Sequence, residues 1–285
     1  MKNQKPLRRR EFLQLSALGL AGASLGLAGC ATNKSCRSAK KKIPVGVQLY
    51  SVRENCKTDF PGTIAGIAQM GYAAVEFAGY WGRSAKEIRQ MLDNDGIVAC
   101  GSHTPHEMVQ PDKLQETIEF NQIIGNHFII VPDMSGKTRQ AWLDRAKEFN
   151  DLADQLQPLG LSIGYHSHWH DFHPVEGEMP WEIFGENTKS AVILQLDTSN
   201  CYDGGGDPLT ELKKFPGRTR TIHLKPNGAG PEAVVGEDKT NWTGIFEWCE
   251  SRGGTQWYVM EHESSKDPMG TMRRSFAAMR KFGKV

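Results

Sequence analysis

With 285 residues, a formal net charge of +1 and no dense Lys/Arg stripe, the chain lacks the basic face that nucleic acid as the main partner requires. Its six cysteines include no CxxC pair. Five remain when Cys30 is set apart, so neither a zinc knuckle nor a complete disulfide framework is indicated.

The chain opens MKNQKPLRRREFLQLSALGLAGASLGLAGC, in which Arg9-Arg10-Glu11-Phe12-Leu13 resembles a twin-arginine export signal. The Gly/Ala-rich run from Phe12 to Ala28 is short and weakly apolar for a stable membrane span. It ends in Leu27-Ala28-Gly29-Cys30, a lipobox-like sequence. The expectation is therefore a signal peptide over 1–29, lipidation at Cys30, a small polar tether over 30–42, and an exported protein held at a membrane. An uncleaved anchoring helix is the alternative. Setting aside 29 of 285 residues leaves 256, the size of one large α/β barrel or two small domains.

From Lys42 onward, short β-branched or apolar runs alternate with amphipathic stretches. The runs are IPVGVQLYSV (43–52), AAVEFAG (73–79), IVACGSH (97–103), HFIIVPD (127–133), LSIGYHSH (161–168), VILQLDT (192–198), RTIHLK (220–225) and WYVMEHE (257–263). Between them lie helical patterns such as SAKEIRQMLDNDG, several closing on a glycine. Eight strands alternating with helices predict a single-domain (β/α)8 TIM barrel over 43–285. An open doubly wound sheet competes, but no GxGxxG follows the first strand. In a barrel, chemistry collects at the C-terminal strand ends. Those ends carry Glu76, His103, Asp133, His166 with His168, Asp197, His223 and Glu261, more ionisable groups than packing alone accounts for.

The stretches VEFAGYWG (75–82), GYHSHWHDF (164–172), LQLDTSNCYDGGGDP (194–208), IHLKP (222–226) and VMEHES (259–264), in this order, resemble the xylose-isomerase-like barrel superfamily. The likeness is greatest to its "sugar phosphate isomerase/epimerase" subgroup, and the last helix, DPMGTMRRSFAAMRKF, is also similar. The resemblance implies one divalent ion held by strands five to eight, with Asp197, His223 and Glu261 as ligands and His166 standing where the epimerases carry a glutamate. It implies enediolate chemistry on a keto sugar or keto-glycoside: isomerisation, epimerisation, hydration or β-elimination. Expected export tilts the choice toward a 3-keto-glycoside lyase or hydratase.

Residue chemistry supports the same arrangement. A mixed imidazole and carboxylate set suits Mn, Co, Zn or Fe(II) better than Ca. Glu261 can serve as ligand and base, and Glu76 is the second expected base. His168 is a second ligand or holds a substrate hydroxyl, and Lys225 pairs an acid or steadies an oxyanion. His103, Trp81 and Trp169 are expected to bind substrate. The plain alternatives are a helix N-cap for Asp197, a satisfied core histidine for His223, and an ion pair with Arg83 for Glu76. Asp133, His170 and His173 read as loop or rim residues. DGGGDP lacks the Lys and Ser/Thr of a phosphate loop, so a phosphorylated substrate is not expected. A non-catalytic, lipid-anchored carbohydrate-binding protein is the reading from another class. A DNA phosphodiesterase would need more metal ligands and a basic face. Homo-oligomerisation is left open.

Overall fold

The computed structural model describes residues 42–285. The leader, the lipidation of Cys30 and most of the tether lie outside the described residues. The eight sequence runs become eight parallel strands: β1 (Val45–Gln48), β2 (Ala74–Phe77), β3 (Val98–His103), β4 (Phe128–Val131), β5 (Ser162–His166), β6 (Ile193–Gln195), β7 (Thr221–Leu224) and β8 (Trp257–Met260). Each is shorter than its run, because the flanking residues turn into the loops that shape the mouth.

Around the strands lie α1 (Arg53–Thr58), α2 (Phe60–Met70), α3 (Ala85–Asp95), α4 (Leu114–Ile124), α5 (Arg139–Leu156), α6 (Pro180–Asn187), α7 (Thr198–Asp203), α8 (Pro208–Lys214), α9 (Trp242–Trp248) and α10 (Pro268–Lys281). Ser84 and Glu87 form a reciprocal capping box on α3, and Gly96 ends it in the left-handed region, as the closing glycine predicts. None of the described helices is long and apolar enough to cross a membrane.

Hydrogen-bonded neighbours run β6-β5-β4-β3-β2-β1-β8-β7. The ring closes between β6 and β7 through Leu194 N–H to Arg218 O (3.0 Å) and His223 N–H to Leu196 O (2.9 Å). Just above that seam, Thr198 Oγ1 donates to Lys225 O at 2.7 Å and accepts from Lys225 N at 2.9 Å.

The outward faces of the strands pack Val45, Val47, Val75, Phe77, Ile163 and Tyr165 against the helices in one large core. The interior is layered. Phe128, Ile130 and Ile193 cluster on one side, and Ala74, Cys100 and Val259 on the other. Above them the interior turns polar, with Gln48, Glu76, His166, Gln195 and His223 all buried. Cys100 and His103 both face inward despite their odd spacing, because the β2–β3 register slips by one opposite Ala99 and Gly101. A bulge of this kind changes which side chains point inward. A Cβ on Gly101 would collide with the Glu76 carboxylate, so glycine there makes room for a buried acid.

Candidate metal centre and its mouth

The histidine-rich stretch folds on itself. Tyr165, pointing outward from β5, donates its hydroxyl to Asp171 (2.9 and 2.8 Å), and Asp171 also accepts from His168 N at 2.7 Å. Asp171 is fully buried, and burial pushes its carboxyl up to about 7. This clamp turns His166 and His168 toward the mouth and presents Trp169, 53% exposed, at the rim. His170 bonds Met134 O at 2.9 Å, and His173 bonds Trp169 O at 3.2 Å; both stay at the rim.

His166, Asp197, His223 and Glu261 are buried and bring one donor atom each to within 4.8 Å of one another. Donors on opposite sides of an ion at about 2.1 Å are about 4.2 Å apart, so the set matches a single ion after small adjustments. Two further observations fit a cation. Asp197 caps α7 through Oδ1, which accepts from Asn200 N at 2.7 Å, while its buried Oδ2 has no hydrogen-bond partner and lies 4.0 Å from His223 Nδ1. His166 Nδ1 is spent on Gln195 Oε1 at 3.0 Å, which leaves Nε2 with the lone pair a metal needs. The N-cap reading of Asp197 therefore holds on one oxygen, and the other is left without a partner beside the cluster.

Gln195 organises the layer below. Its Oε1 accepts from His103 Nε2 (2.9 Å) and from His166, and its Nε2 donates to Glu76 Oε1 at 2.8 Å. Gln48 Nε2 donates to Glu76 Oε2 at 2.8 Å. His223 touches Glu76 through Nε2 and Glu261 through Nδ1, in very short contacts. Burial opposes the His223 imidazolium, but the two carboxylates outweigh it and hold the ring up to about 10. Burial also opposes charge on Glu261, yet His223 and Lys225 keep its carboxyl well below the usual range. Burial raises Asp197 to about 7, only partly offset by Lys225. Lys225 Nζ bonds Glu263 at 2.7 Å and stands 4.0 Å from Asp197 and 3.9 Å from Glu261; these acids outweigh its desolvation and hold its proton firmly.

The cavity above the cluster has a volume of about 570 Å³ and is walled by Gln48, His103, His166, His168, Trp169, Glu261 and Glu263, among others. Two expectations need correction. Glu76, expected as a base, lies fully buried beneath this floor with both oxygens engaged, and it pairs with His223 instead of Arg83. It anchors Gln48, Gln195 and His223 from below and is not part of the cavity wall. Trp81 stacks on Phe60 (centroids 5.2 Å apart) and lines a different cavity with residues 56–61 and Arg83. Conversely, Gln48, Gln195 and Glu263 take part without having been singled out. Asp133 is an exposed loop residue, as expected, 3.9 Å from His168 Nδ1.

The chain resembles known proteins of one kind. A family profile described as the xylose isomerase-like TIM barrel matches residues 64–282. Inosose dehydratase from Geobacillus kaustophilus (strain HTA426) is 24% identical over 185 residues, which span 56% of this chain and 59% of that protein. The crystal structure of a sugar phosphate isomerase/epimerase from Parabacteroides distasonis ATCC 8503 superposes with a TM-score of 0.74 at 22% identity, over 87% of this chain and 97% of that one. The IOLI protein, whose crystal structure holds a zinc atom, gives a TM-score of 0.63 at 14% identity, over 84% and 96%. The chain spans about 59% of the length of the inosose dehydratase it matches, and the structural likeness establishes the barrel. With a profile match across most of its length, the chain belongs to the xylose isomerase-like TIM barrel family.

Proposed function

We propose that the chain is a divalent-metal-dependent enzyme that moves a proton next to the carbonyl of a keto sugar or keto-glycoside. The observation that carries this reading is Asp197 Oδ2, a buried carboxylate oxygen with no partner, set among the donors of His166, His223 and Glu261. A buried acceptor left unsatisfied is costly, and a cation would satisfy it. Two nitrogens and two carboxylate oxygens suit Mn, Co, Zn or Fe(II), and the zinc of the structural neighbour agrees. A divalent ion held there would supply Lewis acidity to a vicinal carbonyl and hydroxyl, acidifying the adjacent C–H.

The protein's own groups do the rest. His168 lines the cavity, its Nδ1 has no hydrogen bond, and burial lowers its pKa, so it stands neutral and able to accept a proton. Glu261 shares the cavity wall and is the second proton-transfer group. Lys225, charged and only 12% exposed, places positive charge beside Asp197 and Glu261 where an oxyanion would form. Trp169 offers an exposed aromatic face to a sugar ring. The dehydratase names of the curated relatives favour proton removal followed by loss of a β-substituent, which is the lyase/hydratase variant of the same chemistry.

The test is incubation of keto sugars and 3-keto-glucosides in deuterated water with the metal-loaded protein. Deuterium is expected at the carbon beside the carbonyl, and a chelator should abolish its incorporation. Product formed without exchange would sink the mechanism. Unchanged turnover by a Glu261→Gln variant would return the carbohydrate-binding reading to first place. We further propose, from the leader sequence, that the protein is exported and lipid-anchored at Cys30. A Cys30→Ala variant should then leave the membrane fraction, and one that stays there would refute the anchor.

A further inference from the structure

Gly79, His103 and Pro105 belong to the walls of two cavities. One is the mouth above the metal-ligand cluster. The other, about 240 Å³, lies beside it between the segments following β2 and β3 and the first two turns of α4. His103 therefore presents itself to both spaces.

The second cavity is apolar by construction. Tyr80 and Phe120 stack with centroids 3.9 Å apart, Phe77 tilts against Tyr80 at 5.6 Å, and Met108 and Pro105 complete the walls. Polar groups on its floor are already engaged. Asn121 accepts from Ser102 Oγ at 3.0 Å and donates to Thr117 O at 2.8 Å, and Thr117 Oγ1 donates to Met108 O at 2.6 Å. The lining contains no Lys or Arg, and its one acid, Glu116, sits at the exposed edge. A phosphate would meet no cation there. A second sugar would lose its water hydrogen bonds and find few replacements. The volume equals about eight waters' share of the liquid, which suits one six-membered ring with a small substituent. Aromatic walls and an adaptable methionine favour a flat apolar group.

We propose that this side cavity is the subsite for a monocyclic apolar aglycone, so that the substrate is an aryl-type keto-glycoside whose sugar ring lies over the cluster. This rests on the keto-glycoside reading above and adds its specificity. The leaving or retained aglycone would then be held by Tyr80, Met108 and Phe120 while the sugar is oriented from the mouth.

Two measurements test it on the full-length, zinc-loaded protein. Calorimetric titration with phenyl and methyl 3-keto-β-glucosides should give at least about tenfold tighter binding for phenyl. Phe120→Ala should shrink that ratio. Separately, phenol alone should shift the ε-methyl signal of Met108 in a 13C-methionine spectrum, a readout that needs neither turnover nor a sugar. Equal affinity for the two glycosides with an unmoved Met108 signal overturns the subsite and leaves the keto-glycoside reading intact. A shifted Met108 signal with neither glycoside bound keeps the apolar subsite and removes the keto-glycoside reading.

Discussion

Gln195 Oε1 accepts from His166 Nδ1 at 3.0 Å, and the same amide donates to Glu76 at 2.8 Å. One neutral side chain thus fixes the histidine tautomer that exposes Nε2 and holds the acid behind His223. Outer-shell partners of this kind are worth about 10- to 100-fold in metal affinity. Gln195→Leu should lose affinity for zinc by about that factor, and 15N spectra should show His166 populating both neutral tautomers. Unchanged affinity with a mixed tautomer would break the link.

Metal affinity should rise with pH in two regimes. Asp197, raised to about 7 by burial, and His223, held up to about 10 by Glu76 and Glu261, both carry a proton in the metal-free protein below pH 7. Ligation removes both protons there, and only the His223 proton between 7 and 10. The zinc association constant should therefore climb about a hundredfold per pH unit below 7 and about tenfold per unit above it. Competition titrations from pH 5.5 to 9 give the slopes. A pH-independent constant would contradict the ligand assignment.

His168 should matter to turnover much more than to metal binding. His168→Gln keeps a polar side chain at the wall but removes the base, and about 10²- to 10⁴-fold of kcat should go with it. Zinc affinity should change by no more than a few-fold, because His166 and not His168 belongs to the four-residue cluster. A large loss of affinity with near-normal kcat in saturating metal would make His168 the strand-five ligand.

The Tyr165–Asp171 clamp predicts a pH-dependent stability. Asp171 titrates at about 7 in the folded protein, where burial raises it, and near 4 when unfolded. The folded state binds the extra proton, so this contribution is complete below about pH 4 and is lost as pH rises to about 7. The Tm difference between the native protein and Asp171→Asn should fall over that interval. A difference constant from pH 4 to 8 would mean that Asp171 is not buried as described.

Gly101→Ala should destabilise the barrel by about 1–3 kcal/mol, the cost of overpacking, because the new methyl group meets the Glu76 carboxylate. Shortening the acid in the double variant Gly101→Ala/Glu76→Asp should recover part of that loss in denaturant titrations. No recovery would place the strain elsewhere.

The fold was legible in the sequence because buried parallel strands are written as short apolar runs, and all eight such runs form strands. Imidazole and carboxylate at the strand ends marked the mouth, and the family resemblance picked His166, Asp197, His223 and Glu261 out of them, which the structure brings together. The amides were not legible. Gln195 precedes Asp197 by two residues and so shares its face, which is a usable signal, but an uncharged side chain raises no alarm. Gln48 stands at the end of the one strand that carries no ionisable group there. The depth of Glu76 was hidden for another reason: it depends on a bulge in β3 and on the missing side chain of Gly101, neither of which leaves a periodic trace. Trp81 misled because it adjoins a site strand. Its backbone takes φ +48°, an unusual left-handed turn for a large residue, and this accompanies its stacking on Phe60.

The seam between β6 and β7 has a mechanical meaning. Asp197 and His223 flank the place where the ring of strands is joined by its shortest ladder. If both grip one ion, the cation acts as a clasp on the hoop, and loading would be felt well below the mouth as slower amide exchange in Leu194, Leu196 and His223. Stripping the ion would then unfasten the barrel at that joint first, so the binding chemistry and the integrity of the cylinder would share a single fastening.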